Sequence, residues 1–129
     1  LYYLAAMSIK KRVLVVEDDS GILRFVKVAL TTAGFDVITA TSGEAAMNLV
    51  ETEKPDIMLL DIFMSPMTGL EVLDKLRPTS QIPVIAFSAR GSVVDEALKR
   101  GANDFIAKPF KPDDLIEKIH SILNRKGAS

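Results

Sequence analysis

Val13-Leu14-Val15-Val16, followed at once by Glu17-Asp18-Asp19, decides how this chain is read. Four consecutive apolar residues, three of them β-branched, fit a strand covered on both faces, and strands of that kind belong to parallel sheets. Similar short runs return at residues 35–39, 57–60, 84–87 and 104–107, giving five expected strands.

Between the runs, apolar residues recur at helical spacing: Ile22, Phe25, Val26 and Ala29; Ala45, Ala46, Leu49 and Val50; Leu70, Leu73 and Leu76; Val93, Val94, Ala97 and Leu98. A fifth set, Leu115, Ile116, Ile119, Ile122 and Leu123, closes the chain. Gly34 and Gly101 stand just past the first and fourth helices, where a left-handed residue is wanted, and Pro55 and Pro83 precede strands. Strict alternation with short connections implies parallel βαβ units and right-handed crossovers. The expected architecture is therefore a doubly wound α/β domain with helices on both faces of one sheet.

Composition agrees and excludes much else. The 129 residues are 48% hydrophobic and 26% charged, the balance of a single soluble domain with a sizeable core. With 16 Lys and Arg against 17 Asp and Glu, the net charge of -1 supplies no field to gather nucleic acid or an anionic membrane. The absence of cysteine excludes disulfides, thiol catalysis and thiolate metal sites, and makes the cytoplasm the default compartment; a single His120 excludes multi-histidine sites. Residues 1–7 are almost wholly apolar but too few to span a bilayer, and they lack the charged start of a secretory signal. Residues 1–8 are read as a tail or expression remnant, 9–125 as the domain and 126–129 as a polar tail.

Ligands of open parallel sheets bind beyond the carboxyl ends of the strands. There the first run ends in Glu17-Asp18-Asp19, the third in Asp61, the fourth in Ser88 and the fifth in Lys108. Each has an ordinary reading: Asp19 or Ser20 as the N-cap of the first helix, Asp61 as a turn residue, Ser88 as a cap of the fourth helix, Lys108 as a solvated loop cation. Their convergence on one edge argues for chemistry. Glu17, Asp18 and Asp61 crowd negative charge that a cation must offset, and a hard divalent ion such as Mg2+, or Mn2+ in its place, prefers oxygen ligands. With Mg2+ and Lys108 the three carboxylates are nearly neutralised, so the site tolerates a phosphoryl group on Asp61 only with the metal present. A carboxylate can form an acyl phosphate, and Asp61 is the central candidate; Lys108 and the Ser88 hydroxyl would each take a phosphoryl oxygen.

These residues resemble the receiver domain of two-component response regulators. The likeness covers residues 11–125 and rests on four ordered motifs: Val15-Val16-Glu17-Asp18, Leu60-Asp61-Ile62 with Gly69-Leu70-Glu71, Pro83-Val84-Ile85-Ala86-Phe87-Ser88-Ala89, and Lys108-Pro109-Phe110. The resemblance implies a flavodoxin-like sheet of order 2-1-3-4-5. It implies that Asp61 is the phosphoacceptor, that Glu17 and Asp18 bind Mg2+ with Asp61 and the Phe63 carbonyl, and that Ser88 and Phe105 form the switch. It also implies a cis Lys108-Pro109 bond and a surface of helix four, strand five and helix five that changes on phosphorylation. Phe63 and Arg90 border the route of an attacking water in such domains, and bulky Phe63 is expected to screen the acyl phosphate. The loop departs from the family pattern at Ser65, Pro66 and Thr68, and Ser88 stands where Thr is commoner.

The partners implied are a sensor histidine kinase or histidine phosphotransfer protein, and a downstream effector or an output domain outside this segment. Direct nucleic-acid and membrane contacts are not expected, and dimerisation on phosphorylation stays open. Three competing readings ask for other residues. A haloacid-dehalogenase type enzyme wants its nucleophile after the first strand with a second Asp two residues on. A nucleotide or flavin binder wants a glycine turn there, and acids would repel its phosphate. A receiver used only for protein contacts would not need the full set of acids, hydroxyl and lysine.

Overall fold

The computed structural model describes residues 10–128. Five strands and five helices alternate as expected: β1 (Arg12–Val16), α1 (Ser20–Thr32), β2 (Asp36–Ala40), α2 (Gly43–Glu53), β3 (Ile57–Asp61), α3 (Gly69–Leu76), β4 (Val84–Ser88), α4 (Val94–Lys99), β5 (Asp104–Ala107) and α5 (Pro112–Ala128). All neighbouring strands pair in parallel in the order β2-β1-β3-β4-β5, the doubly wound, flavodoxin-like topology. The reading of residues 1–8 lies outside the described residues. α5 runs on to Ala128, through most of the segment read as a polar tail. Among the described residues, no helix is long and apolar enough to cross a membrane.

Side-chain alternation along each buried strand builds two cores. Leu14, Val16, Met58, Leu60, Val84 and Ala86 face one layer, closed by Ala46 of α2, Val72, Leu73 and Leu76 of α3 and Ala97 of α4. Val13, Val15, Ile57, Leu59, Ile85 and Phe87 face the other, closed by Val26 and Leu30 of α1 and Leu115, Ile119 and Ile122 of α5. A strand buried on both sides leaves no polar position within it, and so every functional group is displaced to its end.

Several local details differ from the sequence reading. β2 starts one residue later than expected because the Phe35 amide donates to the Leu30 carbonyl, closing α1 rather than pairing in the sheet. Gly34 and Gly101 have φ of 98° and 109°, as a left-handed residue after a helix requires. The fourth helical set splits: Gly91–Val93 is a 3-10 turn, and α4 begins only at Val94. Ser88 is not its cap. Phe25 and Leu98, placed on core-facing stripes by spacing alone, are 51% and 43% exposed.

At the end of the sheet opposite the acids, Arg77 ties two loops together. Its Nε and Nη2 donate to the Gly101 carbonyl at 3.0 and 2.8 Å, and its Nη1 donates to the Ser80 carbonyl at 3.0 Å. These bonds hold the ends of α3 and α4 in place while their other ends border the site.

Candidate functional site

Strand register assembles the acidic edge. Val16 pairs with Leu60, so the next residues, Glu17 and Asp61, emerge side by side. Ser88 pairs with Ala107, and the Lys108 amide donates to the Ser88 carbonyl at 2.9 Å, which sets Lys108 beside β4. The Lys108-Pro109 bond is cis, as the resemblance implied, and so is Ser65-Pro66, which was not foreseen.

Glu17 and Asp61 are 1% and 2% exposed, whereas Asp18 faces solvent. One carboxylate oxygen from each of the three lies within 4.8 Å of the others. Lys108 Nζ donates to Glu17 Oε2 at 3.0 Å and to Asp61 Oδ1 at 3.3 Å. One half-buried ammonium thus serves two buried carboxylates. Burial, aided by the nearby Asp61, pushes Glu17 up to about 7 against the opposing bonds from Lys108 and the Asp19 amide. Burial disfavours the Lys108 ammonium, but its bond to Glu17 and the Asp61 charge outweigh this and its pKa is raised. The donor set is therefore one cation short of neutrality, with an all-oxygen array open to solvent at Asp18. This is the composition that a hard divalent cation fits.

The surrounding contacts fix each group. The Phe63 amide donates to Asp61 Oδ1 at 3.3 Å, and the Asp19 amide donates to Glu17 Oε1 at 3.1 Å. Asp19 also caps α1 by accepting from the Ile22 amide, so the ordinary reading of that residue holds. Ser88 is 1% exposed, and its Oγ accepts from the Arg90 amide at 3.0 Å. Phe105 is half-buried against the layer beneath α4.

Three supports escaped the sequence reading. Lys108 Nζ sits 4.7 Å from the centre of the Phe87 ring, which in turn packs edge-on against Phe110. Thr68 and Glu71 form a reciprocal capping box at the start of α3, a Thr-x-x-Glu signal present in the sequence. Gly69 follows because the backbone leaves no room: a Cβ there would collide with the Asp61 carbonyl oxygen and lie 2.7 Å from Ile62 Cα.

Comparison with known proteins matches this chain to one family. A response regulator receiver domain model matches residues 13–120. A probable transcriptional regulator ycf27 of Guillardia theta is 38% identical over 90% of this chain and 46% of its own length. The alkaline phosphatase synthesis transcriptional regulatory protein PhoP of Bacillus subtilis is 36% identical over 89% of this chain and 49% of its own. The chain thus spans about half the length of these curated relatives. Among solved structures, a CheY-like response regulator receiver domain protein of Methanospirillum hungatei superposes with a TM-score of 0.86 at 31% identity, covering 93% of this chain and 98% of that one.

Proposed function

This chain belongs to the response regulator receiver domain family of two-component systems, and we propose that it is a phosphorylation switch whose acceptor is Asp61. The observation that carries the proposal is the Lys108 ammonium bonded to both Glu17 and Asp61, with Asp18 in the same oxygen cluster. An acceptor carboxylate needs a fixed direction, low water access and nearby positive charge, and these contacts supply all three.

An Asp61 oxygen attacks the phosphorus of a phosphohistidine on a sensor kinase or phosphotransfer protein. The new P–O bond forms as the P–N bond breaks, and the bonding pair returns to the imidazole nitrogen. Glu17, Asp18, Asp61 and the Phe63 carbonyl would hold Mg2+, which supplies charge neutralisation for the phosphoryl oxygens. Lys108 holds one phosphoryl oxygen, and Ser88 donates its hydroxyl to another once it leaves the Arg90 amide. That movement frees space beside β4 into which Phe105 turns, changing the face formed by α4, β5 and α5. A local charge thereby selects between two packings of similar free energy.

The chain acts as a signalling switch rather than as an enzyme with its own substrate. Two curated relatives carry names that describe transcriptional regulators; for this chain, an output domain or separate effector reading the switched face is part of the proposal.

Incubation with Mg2+ and acetyl phosphate tests it. Intact-mass analysis should show one phosphoryl adduct that chelation of Mg2+ prevents and Asp61→Asn abolishes. An unmodified parent, or an equally modified variant, refutes the proposal.

A further inference from the structure

Phe87 is fully buried, yet its ring lies against the ammonium of the site: Lys108 Nζ stands over it, 4.7 Å from the ring centre. Strand register fixes where that ring sits. Phe87 pairs with Asp61 of β3 on one side and with Ile106 of β5 on the other, and its carbonyl accepts from the Ile62 amide at 3.1 Å. The side chain is packed in the layer closed by α1 and α5, edge-on to Phe110 with ring centres 6.1 Å apart. A ring so enclosed has little room to move. Lys108 is its opposite, a half-buried charged head on a flexible stem of four carbons. Among the described residues, that head donates to Glu17 Oε2 at 3.0 Å and to Asp61 Oδ1 at a longer 3.3 Å. The mobile cation of the site is thus backed by a rigid aromatic wall.

Resting on the reading of Asp61 as phosphoacceptor, we propose that Phe87 is a positioning residue for phosphoryl transfer, its ring face holding the Lys108 ammonium where the incoming phosphoryl oxygen needs it. The electron-rich face of an aromatic ring attracts a cation without the strict direction of a hydrogen bond. The ammonium can therefore release Asp61 Oδ1 and turn to a phosphoryl oxygen while its attraction to the ring persists. Held by carboxylates alone, it would settle on them and cover an Asp61 oxygen that has to attack phosphorus. A charge already in place needs no rearrangement as the new P–O bond forms. An aliphatic side chain at this position fills the same core and supplies none of this.

The test varies the ring face while keeping its shape. Mono-, di- and trifluorinated phenylalanine at this position draw electron density from the face with little change in volume, and Phe87→Leu removes the face altogether. The rate of adduct formation is followed by intact mass in Mg2+ and acetyl phosphate, where the Asp61 oxygen bonds to phosphorus as acetate leaves. The rate should fall stepwise with each added fluorine, and by about three- to tenfold in Phe87→Leu, while the melting temperature of the fluorinated proteins stays at that of the parent. A rate that is flat across the fluorinated series overturns the proposal, and if Phe87→Leu alone is slow the ring serves only as packing. In either case the Asp61 adduct of the parent stands; a parent without adduct overturns both readings. Without phosphorylation, the Lys108 Hε resonances should lie upfield of those of the other lysines through the Phe87 ring current and return to ordinary positions in Phe87→Leu. Resonances unmoved by that substitution also overturn the proposal.

Discussion

The Lys108 ammonium bonds Glu17 at 3.0 Å across 91 residues of sequence, and the same nitrogen reaches Asp61 at 3.3 Å. The contact joins the ends of β1, β3 and β5, so the acidic edge is held together by a single cation. Ion pairs of this buried kind are sensitive to the loss of one partner, because the other charge then stays behind without compensation.

Lys108→Met should therefore lower metal-free stability at pH 8 by about 1–3 kcal/mol, the cost of leaving buried acceptors unpaired. Urea unfolding in EDTA measures it. Adduct formation at Asp61 should fall much further than folding does, since the phosphoryl group loses its fixed ammonium. A variant phosphorylated as fast as the parent would show that Lys108 is structural alone.

The alternation of strands and helices and the residues at the strand ends were legible in the sequence because strands buried on both faces cannot hide polar groups; the order 2-1-3-4-5 came only through the family resemblance. Glu17, Asp61, Ser88 and Lys108 had to stand where the apolar runs stop. What stayed hidden depends on the third dimension. The Phe87 ring behind Lys108 reads as ordinary core, and the Arg90–Phe63 contact joins two loops whose spacing in sequence says nothing of their distance. Phe25 shows the limit of periodicity: its spacing fits the stripe of α1, yet it lies on the exposed flank beside Pro109 and Phe110. A helix at the end of a sheet has less to cover than its apolar spacing suggests.

Metal and pH should act on stability together. Burial raises Glu17 from its ordinary 4.5 to about 7 in the metal-free fold. For an acid raised on folding, the native state holds the proton more tightly than the unfolded chain, so stability falls as pH rises from about 4.5 through about 7 and then levels. The decline is on the order of a few kcal/mol at most. Mg2+ competes with that proton and should raise the melting temperature more at pH 8 than at pH 5.5. Equal increments at the two pH values would contradict this account.

Gly69→Ala should disturb the acceptor without touching its side chain. The added methyl meets the backbone of Asp61 and Ile62, which is less able to yield than a flexible side chain. A loss of about 1–3 kcal/mol in unfolding free energy is expected, as for other overpacked buried positions. The rate of adduct formation should fall along with it, because the displaced atoms carry the acceptor. Normal phosphorylation in a destabilised variant would place the strain in the α3 start alone.

Ser88→Ala separates phosphoryl acceptance from switching. The hydroxyl is buried and accepts from the Arg90 amide, so its removal should cost about 1 kcal/mol and loosen the turn before α4. Asp61, Glu17 and Lys108 keep their mutual bonds, and the adduct should still form, more slowly. What should disappear is the response: hydrogen exchange in β4, α4 and β5 should change on phosphorylation of the parent and stay nearly constant in the variant. Ser88→Thr retains the oxygen and adds a methyl that restricts its rotamers, so its exchange response should be at least that of the parent. If Ser88→Ala responds as fully as the parent, the hydroxyl does not couple the acyl phosphate to the α4, β5 and α5 face, and the signal leaves Asp61 by another route.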